Sequence, residues 1–441
     1  MVSCRFLFFI VLFFQSYNGS SQTFWKVENE HGDEILLTIE LNKSKNTFEA
    51  FSRKDALKDL AGIFTYSLAK AAGKLKYPEI VFIDGKTSTK NDTLFLSGNF
   101  NYFDKQFLFS ASLTGNHFDG EYVDKGRVHP LTGIKVPDQK PIKDYSSMVS
   151  SAFSIAERSL INVVWLRSDE WLEFKKKLNE LKVKISDDYE LAATYFWLGK
   201  KLPFSPFEIS KSRPFNKPSG RKNRVGFREI KPNTALLEGN SLPQNQKELD
   251  SIAGIVDKMG YRNLIIDLRG NSRVNPIAAN ILVNYLSDRP FDAGVYLTRK
   301  WYDGNADISK VNNYPKLFKR IIEPDNSSGE VYKECGRYMT IVPAAKRFQG
   351  KVFVLINSKT SRVSEILAYV MKNRKIGNLV GQKSAGQTYQ TENIRINTEY
   401  DLILPDCDFY TVEGKSLNGI GIEPDIEKSG DEIMKYILSV I

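Results

Sequence analysis

Residues Asn357 to Tyr369 read NSKTSRVSEILAY and follow the apolar run KVFVLI. A strand that ends in a short Ser/Thr-rich turn and enters a helix near Val363 is an arrangement in which hydrolases display a nucleophile. Three serines, Ser358, Ser361 and Ser364, crowd the turn, yet the residue nearest the helix start is Arg362. Serine hydrolysis needs an activated hydroxyl, a base to take its proton and donors for the oxyanion. The histidines are His31, His117 and His129, so none stands beyond residue 129. A base for a serine of this turn would therefore be a lysine such as Lys359 or Lys383, a carboxylate, or a histidine from another domain. The same count excludes a His-based metal site in the C-terminal half. Cys335 and Cys407 have no metal-ligand neighbours and no CxxC pair exists. In an oxidising compartment the two could pair, and two separate buried thiols fit equally well. Nothing in these patterns calls for a metal or a cofactor.

The elements that must carry this turn follow from periodicity. From about 23 to 135 the chain reads as β-rich. Phe107, Phe109, Ala111 and Leu113 alternate with more polar neighbours, and EILLTIEL, TLFLSGNF and LTGNHFDGEYV add further strands. A small sandwich or barrel-like meander fits. The period then becomes helical. Tyr145, Met148, Val149, Ala152, Phe153, Ala156 and Leu160 form one stripe. A second helix follows Ser168 as N-cap, with Trp171, Phe174, Leu178 and Leu181 on one face. A third starts after Ser186, carries Leu191, Phe196 and Leu198, and stops near Gly199. From about 224 strands and helices mix. VGFREI, TALLEG, NLIIDL, KVFVLI, NLVG, IRIN and DLILP read as strands. Gln244–Met259, the run opened by Pro276 and VSEILAYVMK read as helices, giving a sheet with covering helices.

With 441 residues, 41% hydrophobic and 26% charged, the chain is long enough for two or three domains with real cores, and wholesale disorder is excluded. The net charge is +10, concentrated at Lys211, Arg213, Lys217, Arg221, Lys222, Arg224 and Arg228. No aromatic interleaving accompanies that run, so it reads as a solvated interdomain loop and not as a nucleic-acid interface. At the N-terminus a short basic stretch precedes FLFFIVLFF and the small, polar QSYNGSSQ, the pattern of a secretory signal. The apolar run is too short to span a bilayer, which takes about 20 residues. Cys4 stands before it, which argues against a lipid anchor at the cleavage point. The expectation is an exported chain, secreted or periplasmic, without a transmembrane segment once the signal is removed.

IIDLRGN at 265–271, KVFVLINSKTSRVSE at 351–365, NLVGQKSAGQT at 378–388 and LNGIGIEPDI at 417–426 occur in that order. Together they resemble the tail-specific, or C-terminal processing, serine proteases with a tricorn-type core. The resemblance implies an α+β multidomain chain. Its parts are a signal peptide over 1–21, a β-rich N-terminal domain over 22–138, a helical segment over 139–200 packing on the core, and an α/β core of ββα type over 201–441. It also implies a serine-type peptidase whose chemistry is substituted. With Thr360 and Glu365 as fixed points, the family's nucleophile position is Arg362. Arginine stays protonated and has no nucleophilic oxygen. The family's histidine base falls at Pro206 after Ser205, and its lysine base at Gln387. The late glutamate is Asn418, and the paired oxyanion glycines give way to Ser272, Arg273 and Val274. The scaffold positions Asp267, Arg269, Gly270, Asn271, Glu365, Gly386, Pro424 and Asp425 match, and backbone geometry is their expected role.

Three readings follow. The first is a non-catalytic relative that binds a polypeptide, a peptide C-terminus or another envelope component. Ser205, Arg273 and Arg362 then form a cationic binding cleft. The second is an active serine endopeptidase with a displaced nucleophile, Ser361 or Ser364, and Lys359 or Lys383 as base. The third places function in the N-terminal β domain, with the α/β half as support.

Overall fold

The structure, a computed structural model, describes residues 21–73, 76–103, 105–212, 226–239, 242–243, 245–272, 274, 276–304, 318–321 and 334–441. The expected signal peptide up to residue 20, Arg273, and Arg213, Lys217, Arg221, Lys222 and Arg224 of the basic run lie outside the described residues.

Period-2 patterning in the N-terminal part yields β1 (Ser21–Asn29), β2 (Glu34–Asn42), β3 (Thr47–Phe51), β4 (Val81–Lys90), β5 (Thr93–Tyr102), β6 (Lys105–Thr114), β7 (His117–Asp124) and β8 (Arg127–Val136). Each pairs antiparallel with the next, and β8 returns to β1 with Phe24 opposite Val136, so the meander closes into a barrel. Phe48 and Phe109 belong to strands that are not neighbours, yet their rings approach to 6.3 Å across the interior. Phe118 lies 6.5 Å from Phe109 and 6.2 Å from Trp25, continuing that aromatic core. An eight-stranded barrel is just wide enough for such a filling. Between β3 and β4 two helices, α1 (Ala56–Ala61) and α2 (Ile63–Ala71), interrupt the strands, a feature the strand pattern had not indicated.

Three further helices follow: α3 (Tyr145–Ser159), α4 (Asp169–Leu181) and α5 (Asp188–Gly199). Ser168 caps α4, its hydroxyl accepting from the Trp171 N–H at 3.2 Å. The expected single helical segment packing on the core is divided. Leu181–Trp197 groups with the barrel, and Ser147–Glu180 with the α/β part. The cause is polar and invisible to hydropathy. Asp187 caps α5 by accepting from Glu190 N–H at 2.8 Å, while its other oxygen accepts from Leu36 N–H of β2 at 3.1 Å. Asp188 accepts from Glu34 N–H at 2.9 Å, and Glu190 is clasped by Arg53 at 2.5 Å. Phe196, expected on the apolar face of this helix, is exposed, whereas Leu191 and Leu198 are buried.

The second unit contains β9 (Glu208–Lys211), β10 (Phe227–Lys231), β11 (Thr234–Glu238), α6 (Gln246–Met259), β12 (Asn263–Asp267), α7 (Pro276–Leu286), β13 (Phe291–Leu297), α8 (Arg299–Gly304), β14 (Lys319–Ile321), β15 (Gly336–Ile341), β16 (Lys351–Ile356), α9 (Val363–Asn373), β17 (Asn378–Gly381), β18 (Gln390–Arg395), β19 (Tyr400–Tyr410), β20 (Ile426–Glu427) and α10 (Glu432–Val440). One sheet runs β10-β11-β12-β16-β17-β20, parallel except for β10. Its central strands read as continuous apolar runs because both faces are covered. Leu264, Ile266, Val354 and Ile356 pack with α6, α7 and α9, while Ile265, Phe353 and Leu355 pack with Ile433 and Ile437 of α10. A second sheet, β14-β15-β13-β19-β18, turns Tyr296 and Phe409 into the same core and buries Val295, Leu297 and Tyr410 with Trp301 and Tyr302. The strand anticipated at IRIN lies earlier, at Gln390–Arg395, where polar QTE begins an edge strand that hydropathy does not mark. Cys335 and Cys407 are both free thiols and sit in different apolar clusters. Among the described residues no helix is long and apolar enough to cross a membrane.

Candidate active-site turn

The parallel sheet brings the carboxyl ends of β12 and β16 side by side, with Asp267 opposite Leu355. Beyond these ends the chain turns are held by short polar side chains. Asp267 grips Arg269 through two bonds, Nε at 2.9 Å and Nη2 at 2.6 Å, and also accepts from the Arg269 N–H at 3.1 Å. Asn357 Oδ1 accepts from Gly270 N–H at 2.9 Å and Lys359 N–H at 3.1 Å. Thr360 is fully buried. Its hydroxyl donates to Leu268 O at 2.8 Å and accepts from Asn357 N–H at 3.0 Å, which fastens one strand end to the other. Asn271, also buried, accepts from Ser361 N–H through its carbonyl at 3.0 Å and from Ser364 Oγ through Oδ1 at 3.2 Å.

Arg362 stands between this turn and α9 with φ 58° and ψ −134° and no side-chain cap. A non-glycine residue in that region is strained and is held there only by its surroundings. The holding contact is the Arg362 N–H, which donates to Gln387 O at 2.5 Å. The half-buried side chain projects from the helix start, and its guanidinium has no ion-pair or hydrogen-bond partner among the described residues. A strained strand-to-helix corner that lifts one side chain is the geometry of a nucleophile elbow. Here the lifted side chain is a guanidinium. Ser364 is fully buried and donates to Asn271, so it is not presented to a cleft. Ser361 is 7% exposed, and its hydroxyl has no bonding partner among the described residues. Lys359 is exposed, and Lys383 is drawn to Glu423 at 2.7 Å.

Glu365, in the first turn of α9, is fully buried and gathers the opposite wall. Its carboxylate accepts from the Ser384 hydroxyl, from Gly386 N–H at 2.6 Å and from Gln387 N–H at 2.7 Å. Burial pushes its pKa up, and these three donors oppose the rise. Ser384 Oγ in turn accepts from Ile422 N–H at 2.6 Å. The 384–387 and 417–422 loops therefore touch through backbone. At Gly421, φ +73°, a Cβ would stand 2.8 Å from Ser384 O, so only glycine fits. Asn418 accepts from Thr388 N–H at 3.3 Å, and Gln387 is exposed. Pro424 precedes Asp425, whose carboxylate accepts from Leu379 N–H at 2.8 Å and meets Lys372 at 3.3 Å, closing the β17–β20 end of the sheet.

Ser205 is exposed, and the Ser205–Pro206 pair lies between Phe204 and Phe207, which pack on Trp171 at 6.0 and 5.3 Å. Neither residue hydrogen-bonds to the Arg362 turn among the described residues. Of the expected binding set Ser205, Arg273 and Arg362, only Arg362 is described at the turn. The sequence reading had used Thr360 only as a landmark and had passed over Asn357 and Ser384. Their spacing from Asp267 and Glu365 in the motifs was the available signal. It also passed over a buried polar cluster near Tyr389. There Asp408, 1% exposed, lies 3.4 Å from the Tyr302 hydroxyl. Burial pushes the Asp408 carboxyl up to about 7, opposed by its bonds to Tyr410, Phe409 N–H and Tyr302. Tyr389, its pKa also raised by burial and then by Asp408, meets Trp165 edge-on at 5.4 Å.

Residues 233–428 match the model of peptidase family S41. No protein of curated function matches the chain. Among solved structures the chain is similar to a lipoprotein from Streptococcus agalactiae, with 14% identity, 69% of this chain and 98% of that chain covered, and a TM-score of 0.41. It is similar to the photosystem II D1 C-terminal processing protease at 12% identity, covering 65% of this chain and 94% of that chain, TM-score 0.38. It is similar to the tricorn protease at 11% identity, covering 90% of this chain and 45% of that chain, TM-score 0.42.

Proposed function

From the match of residues 233–428 to the model of peptidase family S41, we propose that this chain is an exported, non-catalytic member of that family that binds polypeptide by its carboxyl terminus. The observation that carries the reading is Arg362. A permanently charged guanidinium, without a partner among the described residues, occupies the strained corner from which a nucleophile would project. Arginine pairs with a carboxylate through two parallel N–H bonds, so the corner that would attack a peptide bond instead receives a chain end. β18 supports the same reading. It follows directly from the 384–389 wall, pairs with β19 on one side, and has no partner strand on its other side among the described residues. An extended peptide can add to such an edge through main-chain bonds alone. Export rests on the apolar, small-residue pattern of the first 21 residues.

Titration calorimetry with one extended peptide in free and C-amidated forms tests the proposal. The free form is expected to bind roughly 10- to 100-fold more tightly, the worth of one charge-assisted bond of ~1.5–3 kcal/mol. Arg362→Ala should erase the difference. Equal affinities for the two forms would remove the carboxylate role. A fluorophosphonate adduct that disappears in Ser361→Ala would establish the displaced-nucleophile hydrolase instead.

A further inference from the structure

At the opposite ends of the same strands, where Asn263 begins β12 beside Lys351 of β16, a cavity of about 810 Å³ opens. Its volume falls in the range that holds a small organic ligand. Tyr261 and Phe348 give it apolar ring surface, while Arg262, Arg347 and Lys351 bring three cations to it. These three side chains are exposed and have no hydrogen-bond or ion-pair partner among the described residues. Asp257 and Ile441 also line the cavity, but Asp257 is engaged by Lys346 at 3.2 Å and the Ile441 main-chain oxygen by Lys231 at 3.3 Å, so both are drawn to other cations. Like charges brought together without a counter-charge repel one another, and an anion relieves that repulsion.

The backbone adds donors. Gly350 is pressed against Arg262, where a Cβ would stand 2.1 Å from Arg262 O, and Lys351 N–H donates to that oxygen at 2.9 Å. This close approach fixes the 347–350 loop at the cavity. The main-chain N–H groups of Arg347, Gln349 and Gly350 have no acceptor among the described residues. Fixed N–H groups next to cations form an anion-binding concavity.

We propose that this cavity binds a small phosphate monoester. The dianionic phosphoryl group lies among Arg262, Arg347 and Lys351, and the ester's apolar portion lies against Tyr261 and Phe348. Three cations and several donors exceed what a single carboxylate can satisfy, whereas a phosphoryl group presents three acceptor oxygens and up to two charges. The site is separate from the Arg362 corner and does not depend on the peptide-binding proposal.

Calorimetry on the full purified chain at constant ionic strength, with phenyl phosphate, inorganic phosphate, benzoate and phenol, decides the matter. Phenyl phosphate is expected to bind saturably and about tenfold more tightly than inorganic phosphate or benzoate, with no binding of phenol. The surface double variant Arg262→Ala/Arg347→Ala should weaken phenyl phosphate at least about tenfold, while Arg362→Ala leaves it unchanged. Circular dichroism matching the unsubstituted chain shows that the double variant is folded. Absence of saturable phenyl phosphate binding overturns the proposal. So does affinity untouched by the double variant, or benzoate binding as tightly as phenyl phosphate.

Discussion

Replacing Arg362 by glycine is expected to raise stability while abolishing carboxylate recognition. Arg362 has φ 58° and ψ −134°, a conformation open to glycine and strained for any residue with a Cβ. Such strain is worth about 1–3 kcal/mol. Against its relief stands the greater freedom of glycine in the unfolded chain, about 0.5–1 kcal/mol. The guanidinium contributes no partnered contact among the described residues that would be lost. The difference is a gain of roughly 0–2.5 kcal/mol, and each 1 kcal/mol moves the midpoint by about 2–4 °C for a domain of ~150–250 residues. Arg362→Ala is the control, because alanine keeps the Cβ and therefore the strain while removing the charge. Thermal denaturation followed by circular dichroism should place the glycine variant above both the unsubstituted chain and the alanine variant. Both variants should lose the preference for a free peptide C-terminus. A glycine variant that melts at or below the alanine variant would show that the corner is not strained, and the argument for an elbow would fall with it.

Two further outcomes are expected. Asp408 has a folded-state pKa raised to about 7 by burial, so the stability it contributes is complete below its unfolded value and is lost as pH climbs through about 7. Asp408→Asn should therefore gain in melting temperature relative to the unsubstituted chain between about pH 5 and pH 8; a difference that stays flat across that range contradicts the assignment. Asp187 shifts the same way in the barrel unit and is present in both proteins, so the comparison isolates Asp408. Thr360→Val leaves Leu268 O and Asn357 N–H without their hydroxyl partner and should cost roughly 2–4 kcal/mol in urea denaturation. A loss below about 1 kcal/mol would mean that another group holds the two strand ends together.

The sequence carried the β/α alternation of the second unit because buried parallel strands and amphipathic helices write strong, different periods. NLIID, KVFVLI and the stripe from Val363 to Met371 all became the elements they suggested. The place of Arg362 just before α9 was legible for the same reason. The barrel was open as one of two β architectures, since alternation fixes faces but not the pairing of β1 with β8. Hidden were features made by single polar contacts between distant segments. Asp187 and Asp188 bind the β2 backbone, and Ser384 and Thr360 are small hydroxyls without a period of their own. Equally hidden was the positive φ of Arg362, which no residue type announces. The cluster of Arg262, Arg347 and Lys351 comes from segments joined only by the register of β12 with β16.

Closure of the barrel constrains the order in which the polypeptide can mature. One edge of the first strand pairs at once with the second, Phe24 opposite Thr38, but its other edge meets Val136 only at the end of the eighth stave, so closure must wait for all the others. Until then both margins of the growing meander offer unpaired amide groups, and its aromatic lining faces solvent. Contacts so far apart along the chain are slow to form, which makes the open meander the stage of folding most exposed to aggregation.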